Sequence, residues 1–158
     1  MKFIRKKYLD PQEKRSIMEL WNKEYPHSLM YENIQELDAY LSNLKGQNHI
    51  FMLNDAGEIK GWYFDFIREE ERWFATIVDS TFQGKGFGGK LIRIAMQDRA
   101  ALNGWMIDSS DYKKSGGKSY KSPLGFYQKM GFLIQPEIKL ETEKIKAIKI
   151  SWKKNHEI

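Results

Sequence analysis

The chain contains no cysteine, which excludes disulfide cross-links, thiolate metal sites and a cysteinyl acyl-enzyme. Proline is scarce, four in 158 residues, and no repeat, low-complexity tract or interdomain linker interrupts the sequence. No apolar run approaches the length of a membrane span, and no signal-peptide pattern is present. The expectation is a cytoplasmic protein with no membrane partner. His27, His49 and His156 are isolated from one another, without metal-ligand spacing, so no metal is expected. His49 reads as structural, and His156 lies in a tail expected to fray. The net charge of +5 is modest and spread along the chain, so no nucleic-acid partner is expected. A polyanionic cofactor accounts for part of that charge. What is present is core-forming material, 41% hydrophobic and 14% aromatic, which suits one globular domain over 1–158.

Local patterns predict alternating strands and helices. Lys2 to Tyr8 alternates as a strand. Asp10-Pro11-Gln12-Glu13 predicts a helix start, with Asp as N-cap, Pro in the first turn and Glu placed to complete a capping box. Ile17, Met18, Leu20 and Trp21 form its apolar stripe, and Tyr25-Pro26 ends it. A second helix is predicted over Ile34 to Leu44. His49 to Leu53 and Ile59 to Ile67 read as strands joined by the turn Asn54-Asp55-Ala56-Gly57. Glu69-Glu70-Glu71 reads as a hairpin tip before a strand from Trp73 to Asp79. Leu91 to Leu102 has helical periodicity, and Asn103-Gly104 is taken as its stop signal. Trp105 to Asp108 is then a short buried strand. Ser109 to Lys121 reads as a mobile loop, Ser122-Pro123 opens a short helix through Met130, and Phe132 to Ile138 pairs with Ile145 to Trp152. Tyr25, Tyr31, Trp62 and Phe64 are candidates to line a pocket.

The centre of the sequence is Phe82-Gln83-Gly84-Lys85-Gly86-Phe87-Gly88-Gly89-Lys90, with four glycines in six residues. A strand, a glycine turn and a helix in that order make an anion site, because the first helical N–H groups have no internal partner and face the ligand. Lys85, Lys90 and Arg93 add positive charge. Three templates fit. Gly84 to Lys90 reads as a P-loop, but Leu91 stands where Ser or Thr would bind magnesium. Gly84 to Gly89 also reads G-x-G-x-x-G, yet the residues from Asp79 to Gln83 intervene where a dinucleotide fold turns at once. The third template is Gln83-x-x-Gly86-x-Gly88.

That third pattern resembles the coenzyme A pyrophosphate loop of the GNAT acetyltransferase superfamily. Further on, Gly125-Phe126-Tyr127-Gln128-Lys129-Met130-Gly131-Phe132 is similar to the family's second signature, and the likeness is sharp from about Trp73 to Phe132. The resemblance implies a mixed α/β three-layer fold. Its sheet is mostly antiparallel, with six or seven strands and about four helices, and its central parallel pair splays apart. It implies acetyl-CoA as co-substrate, held by Gln83, Gly84, Lys85, Gly86, Phe87, Gly88, Gly89 and Lys90, with the backbone of Ile77 and Val78 along the pantetheine arm. It also implies Tyr127 as general acid. Many members carry Asn seven residues before that tyrosine, where this chain has Tyr120.

The implied activity is direct N-acetylation of a primary amine, on a small molecule or a peptide, in a ternary complex. The alternative is an acyl-CoA sensor or scaffold of the same fold with weak or lost catalysis. Asp79 and Asp108, at the ends of the two central strands, are candidates for the base, with loop capping as their other use. Lys113, Lys114, Lys118 and Lys121 are candidates to meet the cofactor's adenosine phosphate. Nothing in the sequence sets an oligomer.

Overall fold

In the computed structural model, which describes residues 1–155, the chain runs β1 (Lys2–Lys6), α1 (Pro11–Glu24), α2 (Ile34–Ser42), β2 (Lys45–Leu53), β3 (Ile59–Arg68), β4 (Glu71–Val78), α3 (Phe87–Gln97), β5 (Ala101–Met106), α4 (Leu124–Lys129), β6 (Leu133–Glu141), β7 (Lys146–Lys153). His156 lies outside the described residues. The seven strands form one sheet in the order β1-β2-β3-β4-β5-β7-β6. Every neighbouring pair is antiparallel except β4 and β5.

Period-two alternation assigns the two faces. On one face Trp62, Phe64, Phe66, Trp73 and Ile77 pack with Ile17 and Leu20 of α1 and Leu37 and Leu41 of α2. On the other, Tyr63, Phe74 and Val78 pack with Leu91, Ile92 and Ala95 of α3 and Tyr127 of α4. The helices therefore cover both faces of a central β3–β4 ribbon. The start of α1 follows its sequence signal: Asp10 accepts from the Glu13 backbone N–H at 2.7 Å, and Glu13 accepts from that of Asp10 at 2.9 Å.

One expectation is corrected. Asn103-Gly104 does not stop the central helix; α3 ends at Gln97, and both residues lie inside β5. Gly104 is needed in the strand because the Phe74 ring occupies the place of a side chain, 2.9 Å from where its Cβ would stand. Asn103 turns its amide back onto the Arg72 carbonyl at 3.3 Å.

His49 is structural, as its position on a strand suggested. It is 1% exposed and stacks on Trp62 and Phe64, each at 6.0 Å. Its Nδ1 accepts from the Trp62 indole at 3.0 Å, so Nε2 carries the proton and donates to Gln47 at 2.9 Å. Burial pushes the imidazole down to about 4. Unfolded, it takes a proton near about 6.5. Its contribution to stability is therefore whole above that pH and is lost as pH falls toward 4. Unfolding free energy is expected to drop by about 2 kcal/mol between pH 7 and pH 5. Urea denaturation at the two pH values checks this, and His49→Gln should flatten that slope.

Candidate active site

The carboxyl end of β4 leads into a short 3-10 turn, Ser80–Phe82, capped by Asp79. Asp79 accepts from the Thr81 N–H at 2.9 Å and from its hydroxyl at 2.7 Å, and pairs with Lys23 at 2.8 Å. Burial alone would raise this carboxyl, but the hydrogen bonds from Lys23 and Thr81 outweigh it and hold it at about 2. Of the two uses open to it, Asp79 takes that of a loop cap. Asp108 is exposed and makes no side-chain hydrogen bond among the described residues.

The glycine turn then reverses the chain. Gly86 is the N-cap of α3 at φ 85°, a left-handed conformation open to glycine at little cost, and no side chain caps the helix. The first N–H groups of α3 are left for an outside acceptor. Gln83 turns back, and its amide donates to the Val78 carbonyl at 2.8 Å.

Next to this turn the sheet opens. β4 and β5 are joined at a single register pair, Trp73↔Asn103, and from Phe74 to Val78 β4 has no β5 partner. A cleft of about 1270 Å³ passes through the gap, larger than a usual small-molecule pocket. Ile77, Val78, Gln83, Gly84, Gly86, Gly88, Gly89 and Tyr127 all line it. Lys85, Phe87 and Lys90 lie off its wall, with the Lys85 amine over the Phe82 ring at 5.7 Å and the Lys90 amine over the Phe3 ring at 5.2 Å. Phe87 packs edge-on to Phe82. Tyr127 is held edge-on by Phe74 at 6.0 Å and Phe132 at 5.2 Å. Its hydroxyl makes no hydrogen bond among the described residues. Burial, then the neighbouring Tyr120, pushes the phenol well above its ordinary value.

Tyr25 and Tyr31 line the far half of the cleft with Tyr40, Phe66, Trp73 and Trp105. Trp62 and Phe64 do not; both are 1% exposed in the core beneath α1 and α2. The segment 109–121 is tied to the end of α1 rather than loose. Lys114 pairs with Glu24 at 2.8 Å, the His27 N–H donates to the Lys113 carbonyl at 2.7 Å, and Pro26 bridges Lys114. Lys114 is thus committed to Glu24, whereas Lys121 lines the cleft. Glu24, whose side chain is 2% exposed, also accepts the Ser80 N–H at 2.7 Å. The sequence offers no sign of this role, since a glutamate closing an amphipathic helix reads as solvated. Among the described residues no cluster of His, Asp and Glu is placed to hold a metal, and no helix is long and apolar enough to cross a membrane.

Known proteins share this architecture. The family model described as the acetyltransferase (GNAT) domain matches residues 46–133, more than half of the chain. Among curated proteins none matches. Among solved structures, an aminoglycoside 6'-N-acetyltransferase complexed with coenzyme A superposes with a TM-score of 0.72 at 13% identity, covering 97% of each chain. A chimeric spermidine N-acetyltransferase from Vibrio cholerae gives 0.67 at 17% identity, covering 97% of this chain and 96% of that one. A phosphinothricin acetyltransferase from Sinorhizobium meliloti in complex with AcCoA gives 0.66 at 13%, covering 97% and 89%. At such identities these structures speak for the fold, and with the family match they carry one conclusion: the chain belongs to the GNAT acetyltransferase family.

Proposed function

We propose that the protein is an N-acetyltransferase moving the acetyl group of acetyl-CoA directly onto a primary amine, both bound in the one cleft, with residues 1–158 acting as one domain. The observation that carries this reading is the single-pair β4–β5 junction. It opens a passage from the uncapped α3 N-terminus to the aromatic face, with the Tyr127 hydroxyl, unpaired among the described residues, on its wall.

The N–H groups at Gly84, Gly86, Gly88 and Gly89 and the α3 dipole would take the pyrophosphate, with charge from Lys85 and Lys90 close by and Phe87 and Gln83 shaping the turn. The backbone of Ile77 and Val78, paired with β3 but without a β5 partner, would hold the pantetheine arm; the Val78 carbonyl is already satisfied by Gln83. Acetyl-CoA supplies an acyl group activated as a thioester, so that a C–S bond is exchanged for a C–N bond while the amine loses one proton and sulfur gains one. Tyr127 holds the proton destined for sulfur at its phenol oxygen. An ordinary phenol is near about 10 and a thiol near about 8.5. Burial disfavours both anions alike, so the dry site keeps Tyr127 protonated and makes the thiolate a better proton acceptor than in water.

Thermal stabilisation tests the reading. At a hundredfold excess over Kd a ligand of the native state adds about 2.7 kcal/mol, a rise in Tm of about 5–10 °C for a chain of this size. Acetyl-CoA and CoA are expected to give that shift, and ATP and NAD none. Stabilisation by ATP or NAD alone would overturn the assignment.

A further inference from the structure

The acceptor half of the cleft is chemically one-sided. Resting on the transferase reading, the geometry points to an acceptor with a single primary amine on a flat apolar body, its amino group entering uncharged between Tyr25 and Tyr120 and its body lying against Trp73 and Trp105.

Charge is the first ground. Among the described residues Glu24 is the one buried carboxylate on the cleft wall, and it is occupied by Lys114 at 2.8 Å and the Ser80 N–H at 2.7 Å, with Lys23 at 3.7 Å. Glu36 and Glu143 also line the cleft, but both are exposed, and Arg68 and Lys144 line it with them. A polycation would give up its hydration without a free buried carboxylate to replace it. A monoamine that binds neutral has no such cost.

The body is recognised by rings. Trp73 and Trp105 stack at 5.2 Å with 28° between planes, at the junction from which β4 and β5 part, with the Lys149 amine 5.5 Å from the Trp73 ring. Tyr40 and Phe66 belong to the same cleft wall. Trp73 is 8% exposed, yet among the described residues its indole N–H has no partner. An ammonium group offers only donors, so a polyamine leaves that N–H unsatisfied, whereas a ring face or an oxygen on the body satisfies it.

The amine is positioned by phenols. Tyr25 and Tyr120 stack at 6.2 Å with 20° between planes, both line the cleft, and neither hydroxyl makes a hydrogen bond among the described residues. The contacts fixing them are built in: the Glu24–Lys114 pair, the His27–Lys113 hydrogen bond and the Pro26–Lys114 bridge flank Tyr25 and hold the segment carrying Tyr120. Burial keeps both phenols uncharged, Tyr120 pushed up to about 12 and Tyr25 well above its ordinary value. Their oxygens can accept the two N–H groups of a neutral amine, which leaves the nitrogen lone pair free for the acyl carbon. Tyr25 and Tyr120 are thus positioning residues.

The experiment compares acetylation of 2-phenylethylamine, spermidine and kanamycin by the full chain, reading thiol release, with Tyr25→Phe and Tyr120→Phe alongside. The expected result is kcat/KM at least about tenfold higher for phenylethylamine than for either polycation, a difference of about 1.4 kcal/mol. Each variant should raise the KM of phenylethylamine several-fold with the acetyl-CoA Tm shift unchanged. Equal or better use of spermidine or kanamycin overturns the acceptor class while leaving transfer itself demonstrated. Unchanged amine kinetics in both variants overturns the phenol site. No transfer to any of the three overturns the acceptor class, and the acetyl-CoA stabilisation decides the transferase reading separately.

Discussion

Changing Tyr127 to Phe is expected to cut turnover by about a hundred- to ten-thousandfold, the range over which a positioned acid acts. The fold should stand. The ring is what packs against Phe74 and Phe132, and among the described residues the hydroxyl makes no hydrogen bond whose loss would orphan a partner. Removing it is therefore expected to change unfolding free energy by less than about 1 kcal/mol, well below the cost of breaking a buried hydrogen bond. The acetyl-CoA Tm shift should also persist, because the groups proposed to hold the pyrophosphate lie at the α3 turn. The combination separates two roles that burial alone confuses. A core tyrosine gives a stable, active Phe variant; a proton donor gives a stable, inactive one that still binds. Steady-state kinetics with thiol release, run beside the melting curves, reads both. Turnover within about threefold of wild type, too small for general acid catalysis, would remove Tyr127 from the chemistry.

Much of the fold was legible because its signals are local. The Asp10-Pro11-Glu13 capping box, the turn at Asn54 to Gly57 and the strand run from Ile59 to Ile67 each depend on residues a few positions apart. The glycine turn was legible for the same reason. The misreading of Asn103-Gly104 shows the limit. The pair is a helix stop by local chemistry and a strand interior by tertiary fit, because Phe74, thirty residues earlier in the chain, occupies the space of the missing side chain. Of the four pocket aromatics, Tyr25 and Tyr31 line the cleft, whereas Trp62 and Phe64 failed similarly. Trp62 and Trp73 are both strand tryptophans on the same sheet face, yet α1 and α2 bury the first, while the second borders the gap between β4 and β5. Glu24 carries no local mark at all, since its role comes from Lys114 and Ser80, both far along the chain.

Asp65→Ala is expected to cost about 3–5 kcal/mol of stability, the range for breaking a buried ion pair from one side. Asp65 is a carboxylate in an aromatic strand, 1% exposed. It accepts from the Tyr63 hydroxyl at 2.6 Å, from Arg72 at 3.0 Å, and from Arg99 through Nε at 2.9 Å and Nη2 at 3.0 Å. These partners come from β3, β4 and the turn after α3, so one side chain ties the central ribbon to the helix that leads into β5. Its removal leaves two half-buried guanidinium groups without the carboxylate they share and a phenol without an acceptor. The loss is dominated by that residue of uncompensated charge rather than by the attraction forgone. A domain of this kind has about 5–15 kcal/mol in hand, so the variant should unfold far earlier in urea and populate unfolded chain at ordinary temperature. The exposed Arg5–Asp98 pair, 2.6 Å apart with side chains 46% and 55% exposed, provides the contrast: Asp98→Asn should move the same midpoint by no more than about 1 kcal/mol. Similar losses at the two positions would mean that the Asp65 cluster is solvated in solution and does not lock β3 to the α3–β5 corner.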